Sequence, residues 1–430
     1  MNGIGIPGQN GVPKGLVDNY WATFGPRLGF AYDLTGNGKT IVRGGFGIMY
    51  ERIQGNDMYN AGPNIPFSLS VTNNKTTFND PSIQTSTGLA APKPINAAGL
   101  TGLDRSNYRP PTSTQYSLGI QRALSAKTVL SVSYVGNVNR HLNDYRNTNL
   151  PDITRVVTDN STGAAYAADP TLPFKGFTQI TQAENEANSH YNSLQVDMNS
   201  QVKDLQLRVL YTYSRAIDSS NGGSGGDLAT LTNPYAGWRF DLGPGNSDRT
   251  HILVANFIYD IPVFRHSSSR FLKATVGGWQ VSGIATIESG LPLNLTAGTA
   301  AGYVGGGARP DRIGAISYIN TAATGAAAGN QHINYFDPTA FGAPASGLFG
   351  TLGHNALRGP GRDNWDMSLF KSFTFSESRG SRFELRFETF NTWNHTQFQN
   401  VDSGLGDTRF GQYTSTYNPR TLQLGGKFYF

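Results

Sequence analysis

Along segment after segment of this chain, apolar and polar side chains alternate, and that period of two restricts the fold more than any other feature. In Phe383–Glu388, one face carries Phe383, Leu385 and Phe387 and the other Glu384, Arg386 and Glu388. The closing stretch places Leu422, Leu424, Phe428 and Phe430 on one face, with Thr421, Gln423, Lys427 and Tyr429 on the other. Leu205, Leu207, Val209, Tyr211 and Tyr213 alternate with Gln206, Arg208, Leu210, Thr212 and Ser214. Helical periodicity is nearly absent. The pattern predicts eleven strands, at about 23–33, 40–51, 113–124, 128–140, 190–201, 205–217, 248–261, 276–290, 363–375, 381–393 and 419–430.

The connections between these strands alternate in length. Short ones fall at 34–39, 125–127, 202–204, 262–275 and 376–380, and long ones at 52–112, 141–189, 218–247, 291–362 and 394–418. A soluble sandwich has no reason to gather every long loop at one end, whereas a membrane barrel keeps short turns on the periplasmic side and long loops outside. Ten residues rising about 3.3 Å each and tilted ~40° climb about 25 Å, the height of an outer-membrane apolar band. The fold expected is therefore all-β, an antiparallel transmembrane β-barrel with short periplasmic turns and long extracellular loops. Residues 1–22 read as the tail of an extracellular loop and 23–430 as barrel. Aromatic residues should form two girdles, with Tyr50, Tyr134, Tyr213 and Trp365 at the outer rim and Tyr32, Tyr259, Phe375 and Phe428 at the inner. An arginine turned to mid-bilayer lipid costs about 2–4 kcal/mol, so Arg208 and Arg386 should face the lumen, along with Glu384 and Glu388. Strict alternation turns Lys371 to lipid, which a bulge near Phe370 or snorkelling to the interface would relieve. With eleven strands the first and last run in the same direction and cannot close antiparallel. An odd number of further strands is expected, most simply upstream.

Composition narrows the function. Charged residues are 15% of the chain, glycine numbers 52, aromatics reach 11%, and no cysteine is present. That excludes a disulfide framework, a thiolate metal site and a cysteine nucleophile. The 34 Lys+Arg against 29 Asp+Glu leave a net charge of +5 spread along the chain, which gives nucleic acid no basic groove. No apolar run approaches a membrane helix, and the first residues lack the pattern of a signal peptide.

The short motifs dissolve on inspection. Gly3–Gly8 formally matches G-x-G-x-x-G but has no strand before it and is interrupted by Pro7. Gly222–Gly226 formally matches G-x-S-x-G around Ser224, yet no helix follows in that Ser/Gly-rich loop. Gly36–Thr40 reads as a hairpin turn. The seven histidines are never closer than 15 positions, so no helical zinc pair occurs. No EF-hand spacing is present either. No catalytic residue, cofactor or metal site is expected. The outer-loop aromatics Tyr59, Tyr108, Tyr166, Tyr235, Trp238, Tyr303 and Tyr335 offer a ligand-capturing surface or ordinary loop packing.

Several stretches together resemble the C-terminal half of TonB-dependent outer-membrane transporters, of the Oar-like barrel group. They are Phe24-Gly-Pro-Arg-Leu-Gly-Phe-Ala-Tyr-Asp33, Gly38-Lys-Thr-Ile-Val-Arg-Gly-Gly-Phe-Gly-Ile-Met-Tyr-Glu51, Asn364-Trp-Asp-Met-Ser-Leu-Phe-Lys-Ser-Phe373, Phe383-Glu-Leu-Arg-Phe-Glu-Thr-Phe-Asn391 with Asn394-His395, and Asn418-Pro-Arg-Thr-Leu-Gln-Leu-Gly-Gly-Lys-Phe-Tyr-Phe430. The resemblance implies a 22-stranded barrel of which these eleven strands are the second half. It implies that Leu422, Leu424, Phe428 and Phe430 resemble the signal read by the barrel-assembly machinery, with Gly426 as a gap. It implies a bacterial outer-membrane location, lipid as surroundings, and uptake of an unidentified solute. The family's signal peptide, N-terminal β-sandwich, TonB-contacting segment and plug have no counterpart in these residues, so contact with the inner-membrane TonB complex would run through other parts. The alternative is a barrel that only anchors a surface adhesion or assembly protein. A barrel-borne hydrolase centred on Ser224 ranks third.

Overall fold

The computed structural model describes residues 5–52, 98–154, 164–219, 230–264, 268–298, 307–322, 332–376 and 381–430, with 55, 59, 61–62 and 64 between the first two blocks. Gly3, Ile4, Gly222–Gly226, His266 and Tyr303 lie outside the described residues. One sheet dominates. Its strands are β1 (Arg27–Asp33), β2 (Thr40–Tyr50), β3 (Thr112–Ser125), β4 (Thr128–Asn147), β5 (Phe177–Val202), β6 (Leu205–Asp218), β7 (His251–Asp260), β8 (Trp279–Glu288), β9 (Arg362–Ser376), β10 (Ser381–Phe390) and β11 (Thr421–Tyr429). They pair in chain order, each antiparallel to the next. Two short loop strands join the sheet, Ala98–Leu103 parallel to β5 and Gly243–Pro244 along β6. No described helix is long and apolar enough to cross a membrane.

Register carries the alternation across the whole sheet. Arg386 pairs with Phe370 on one side and Gly425 on the other, Asp366 with Ile284, Ile284 with Asn256, and Asn256 with Arg208. From Arg208 the same face continues through Asn199, Asp197, Gln195, Ser133, Ser117 and Arg43. The opposite face carries Leu28, Phe46, Leu118, Leu194, Leu207, Phe257, Leu369, Leu424 and their neighbours, and it is widely exposed, with Leu424 at 72% and Leu28 at 72%. An apolar face of this extent is a lipid-facing wall rather than a water-facing one. Tyr32, Tyr50, Tyr134, Tyr213, Tyr259, Trp365 and Phe428 sit on it by register, and Phe375 lies tilted against Phe428 with ring centroids 6.0 Å apart. Glycines on this face leave room for rings. Tyr116 lies over Gly136, and Phe383 lies against Gly426, where an added Cβ would meet its ring at 3.1 Å.

Three readings are corrected. Residues 141–147 and 177–189, read as loop, prolong β4 and β5 well past the membrane. Their side chains are mostly polar (Asn143, Asp144, Glu184, Asn185), so no apolar alternation advertised a strand that pairs in water. Register shifts between Asn139 and Asp144 bend this extension, and His141 takes a positive φ of 59° there. Secondly, the bulge proposed near Phe370 is absent: pairing runs unbroken from Met367 to Thr374, and the first shift falls between Thr374 and Ser376. Lys371 stays on the apolar face, only 1% exposed. Its ammonium reaches down to donate to the Gly277 carbonyl, with the Trp279 and Phe373 rings 5.2 and 5.1 Å away. Thirdly, strand ends draw in. Pro26 has no N–H to pair, so β1 starts at Arg27, and Asn391, at φ 53°, ends β10. The long inner connection 262–275 holds a short helix, α1 (Arg270–Thr275), capped by Ser269.

The absence of cysteine makes the two faces directly testable. Single cysteines at Gln195, Arg208 or Gln423 are expected to react with a membrane-impermeant maleimide in outer-membrane preparations. Cysteines at Leu194, Leu207 or Leu424 are expected to stay unlabelled. Equal labelling of both sets would contradict the assignment of faces.

Candidate functional site

The polar face bends into a trough of about 550 Å³ across β5 to β10, lined by Arg208, Asn256, Ser282, Asp366 and Glu388 among others. Arg208 is held there by Asp197, with Nη2 to Oδ2 at 2.9 Å and Nε to Oδ1 at 3.2 Å. Nearer the inner rim, Glu384 is buried between two arginines, accepting from Arg382 Nε at 3.1 Å and Arg386 Nη2 at 3.4 Å, and from the Tyr429 hydroxyl at 3.2 Å. Of the four residues assigned to a lumen from sequence, Arg208 and Glu388 therefore share the trough, and Glu384 and Arg386 pair with each other below it. Leu422, Leu424, Phe428 and Phe430 all lie exposed on or beyond edge strand β11, and Gly426 is covered by Phe383.

Above the sheet the long connections pack on one another. One core joins the 289–361 and 391–420 loops through Leu295, Phe336, Phe341, Leu357, Val401 and Phe410. Phe336, Phe341 and Phe410 meet edge to face, with centroids 5.3 to 6.0 Å apart. A second core brings Leu150, Tyr235 and Phe240 against Ala308 and Phe349. At its centre Arg309, 2% exposed, donates to Asp241 Oδ1 at 2.8 Å, to the Leu352 carbonyl at 2.9 Å and to the Phe240 carbonyl at 2.6 Å. Its guanidinium also lies 4.0 Å from the Phe240 ring centroid. Asp241 in turn accepts from the Thr232 amide at 2.8 Å, so all three guanidinium nitrogens and both carboxylate oxygens are engaged. A second clamp, Arg358 to Asp248, ties the same two loops. His354, buried between them, has its imidazole held below the usual range by desolvation.

These contacts settle where the loop aromatics stand. Tyr108, Tyr166 and Tyr335 are buried, and Tyr235 donates to the Pro151 carbonyl at 2.9 Å. They serve packing. Trp238 is half-buried and Tyr59 exposed.

Sequence reasoning missed a carboxyl pair on the extracellular hairpin. Asp144 and Glu184 face each other across β4 and β5, 1% and 3% exposed. Arg146 donates to Glu184 Oε1 at 2.7 and 3.1 Å, but both Asp144 oxygens and Glu184 Oε2 have no donor among the described residues. Burial first, then repulsion from Glu184 and Glu186, pushes the Asp144 carboxyl up to about 8.

Residues 1–423 match the family model described as outer membrane beta barrel domain, so the chain belongs to that family and is an outer-membrane barrel. Solved structures similar to it include the outer membrane transporter YddB from Escherichia coli, at 10% identity and TM-score 0.49, covering 94% of this chain and 40% of that one. BauA, the ferric preacinetobactin receptor from Acinetobacter baumannii, is similar at 11% identity and TM-score 0.43, with 94% and 36% covered. The siderophore receptor PirA from Pseudomonas aeruginosa is similar at 13% identity and TM-score 0.35, with 86% and 39% covered. The chain thus spans about two-fifths of the length of these structures or less. No curated protein matches the sequence.

Two outcomes follow from the loop contacts. Arg309→Ala strands a buried Asp241 and is expected to cost the loop assembly about 3–5 kcal/mol. Limited proteolysis of outer-membrane vesicles should then cut 230–250 and 307–358 much faster, and unchanged cleavage would contradict the clamp. For Asp144 the folded value lies above the unfolded 3.8, so hairpin stability is full below about pH 4 and falls as pH rises through about 8. Amide exchange over 141–147 and 181–187 should be slower at pH 5 than at pH 8.5, after correction for intrinsic rates, and Asp144→Asn should flatten that difference.

Proposed function

We propose that the chain is the C-terminal barrel portion of an outer-membrane receptor of the TonB-dependent, Oar-like kind, which takes up a solute across the outer membrane. The observation that carries this reading is the predominantly polar face, hollowed into a trough, beneath a packed crown of loops. A barrel that served only as an anchor has no need of a trough that presents Arg208, Asp366 and Glu388. The sequence resemblance from residue 23 to the end supports the same reading. Residues 5–22 belong with the outer loops, since Val17 is buried beside Tyr108 and Tyr145, and Asp18 pairs with Arg105 at 3.2 Å.

In this reading Arg208, Glu384, Arg386 and Glu388 face a water-filled or plug-filled lumen, and Leu422, Leu424, Phe428 and Phe430 present the apolar pattern recognised by the barrel-assembly machinery. β1 and β11 run in the same direction, and their outer edges have no pairing partner among the described residues; unpaired backbone groups cost several kcal/mol each in hydrocarbon, so in this reading further strands complete the wall. Energy coupling to an inner-membrane TonB complex would act through parts beyond these residues. The loop crown also suits the second reading, a surface adhesion or assembly protein anchored by its barrel, because its cores are self-supporting.

Uptake separates the two. Cells with and without the gene would be given labelled sugar oligomers, peptides and metal chelates, with and without a protonophore. The transporter reading expects at least one class to enter only when the protein is present and to stop when the proton gradient collapses. Equal entry of all three classes in both strains would favour the anchor.

A further inference from the structure

Toward its outer rim the apolar face carries a row of charged and titratable side chains, well separated from Arg122 and Lys371 at its inner end. Arg140 on β4, His190 on β5, Arg215 on β6 and His251 on β7 all project from the lipid-facing side, because Arg140 pairs with Thr112, His190 with Val138 and Ile217, Arg215 with Asn192, and His251 with Tyr213. All four are exposed. Each stands one same-face position lower along its strand than its predecessor. The inner turns at Ser125–Thr128, Val202–Leu205 and Asp260–Gln280 step down in the same direction, so the diagonal runs close to the membrane plane.

Directly below lies the outer aromatic girdle. The Tyr134 hydroxyl donates to Asn192 Oδ1 at 2.6 Å, Tyr211 lies within hydrogen-bond distance of His251 Nδ1 at 2.8 Å, and the Tyr213 ring is 5.2 Å from that of His251. Neither Arg140 nor Arg215 has an ion-pair or side-chain hydrogen-bond partner among the described residues. On this face of β2 to β8 no Asp or Glu occurs until Glu186, four residues farther out than His190 on β5. Asp363, on β9, is engaged by Trp365 Nε1 at 3.0 Å. Cations on a lipid-facing wall are tolerated only where the bilayer turns polar. An unpaired guanidinium fork there fits a phosphate.

We propose that this band is a binding surface for the phosphate groups of an anionic glycolipid of the outer leaflet. Arg140 and Arg215 hold the phosphates, His190 and His251 add hydrogen-bonding imidazoles, and the tyrosines below flank the acyl chains. Strand spacing and rise put the two arginine Cα positions roughly 16 Å apart, within reach of a bis-phosphorylated disaccharide headgroup. The inference rests on outer-membrane residence and the assignment of faces, and stands whether or not the protein transports anything.

The test uses the native protein purified from outer membranes and exchanged into phosphatidylcholine nanodiscs. The probe is bis-phosphorylated lipid A, against the same lipid with its phosphates removed, with bound glycolipid counted by native mass spectrometry. Wild type should hold the phosphorylated lipid at about tenfold higher occupancy, as expected for charge-assisted contacts. R140Q/R215Q should lose that preference, R140K/R215K should keep part of it, and Lys203→Gln, in an inner turn, should leave it unchanged. Equal binding of the two lipids by wild type would overturn the proposal even if the double variant fails to assemble. So would full retention of the preference by an assembled R140Q/R215Q.

Discussion

A backbone placed in hydrocarbon has no water to bond, and every feature of this structure follows from that constraint. The nine inner strands satisfy it laterally, each pairing with both neighbours in unbroken register through the membrane rows, while edge strands β1 and β11 each pair with one. Once pairing is obligatory, the pleat divides side chains strictly between two faces, and one wall must suit lipid while the other suits water. Lys371 shows how strong the demand is. The strand does not bulge to rescue a misplaced cation; the side chain bends to the Gly277 carbonyl, and the register stays intact.

Outside the membrane the constraint lifts, and the chain changes its habits. The β4–β5 hairpin continues in water with shifted register, and polar side chains replace the alternation. The loops fold through aromatic cores and buried ion pairs that join segments far apart in sequence. Arg309 and Asp241, 68 positions apart, bind two outer connections into one crown. A packed crown over a trough would give a receptor a shaped entrance, and the same packing would serve a surface anchor.

Legibility in the sequence divides along the same boundary. Strands such as Phe383–Phe390 and Leu205–Asp218 could be read because lipid on one side and water on the other write a period of two into the residues. The faces of Arg208 and Arg386 were readable for the same reason, since lipid excludes the alternative. The Asp144–Glu184 pair and the Arg309 clamp left no such mark: each depends on partners brought together only by folding, and neither has a local spacing to betray it. The outward band of Arg140 and Arg215 was present in the alternation but became meaningful only when register aligned four strands and showed the cations at one height.

The most direct measurement of the account is a cryo-electron microscopy reconstruction of the native protein in outer-membrane lipid. The account predicts these eleven strands in consecutive order within a closed wall, with Arg208, Asp366 and Arg386 facing the lumen, Leu194, Leu207 and Leu424 in lipid, and both β1 and β11 paired to further strands. A wall with the polar face turned to lipid, or with either edge strand bare in hydrocarbon, would contradict it.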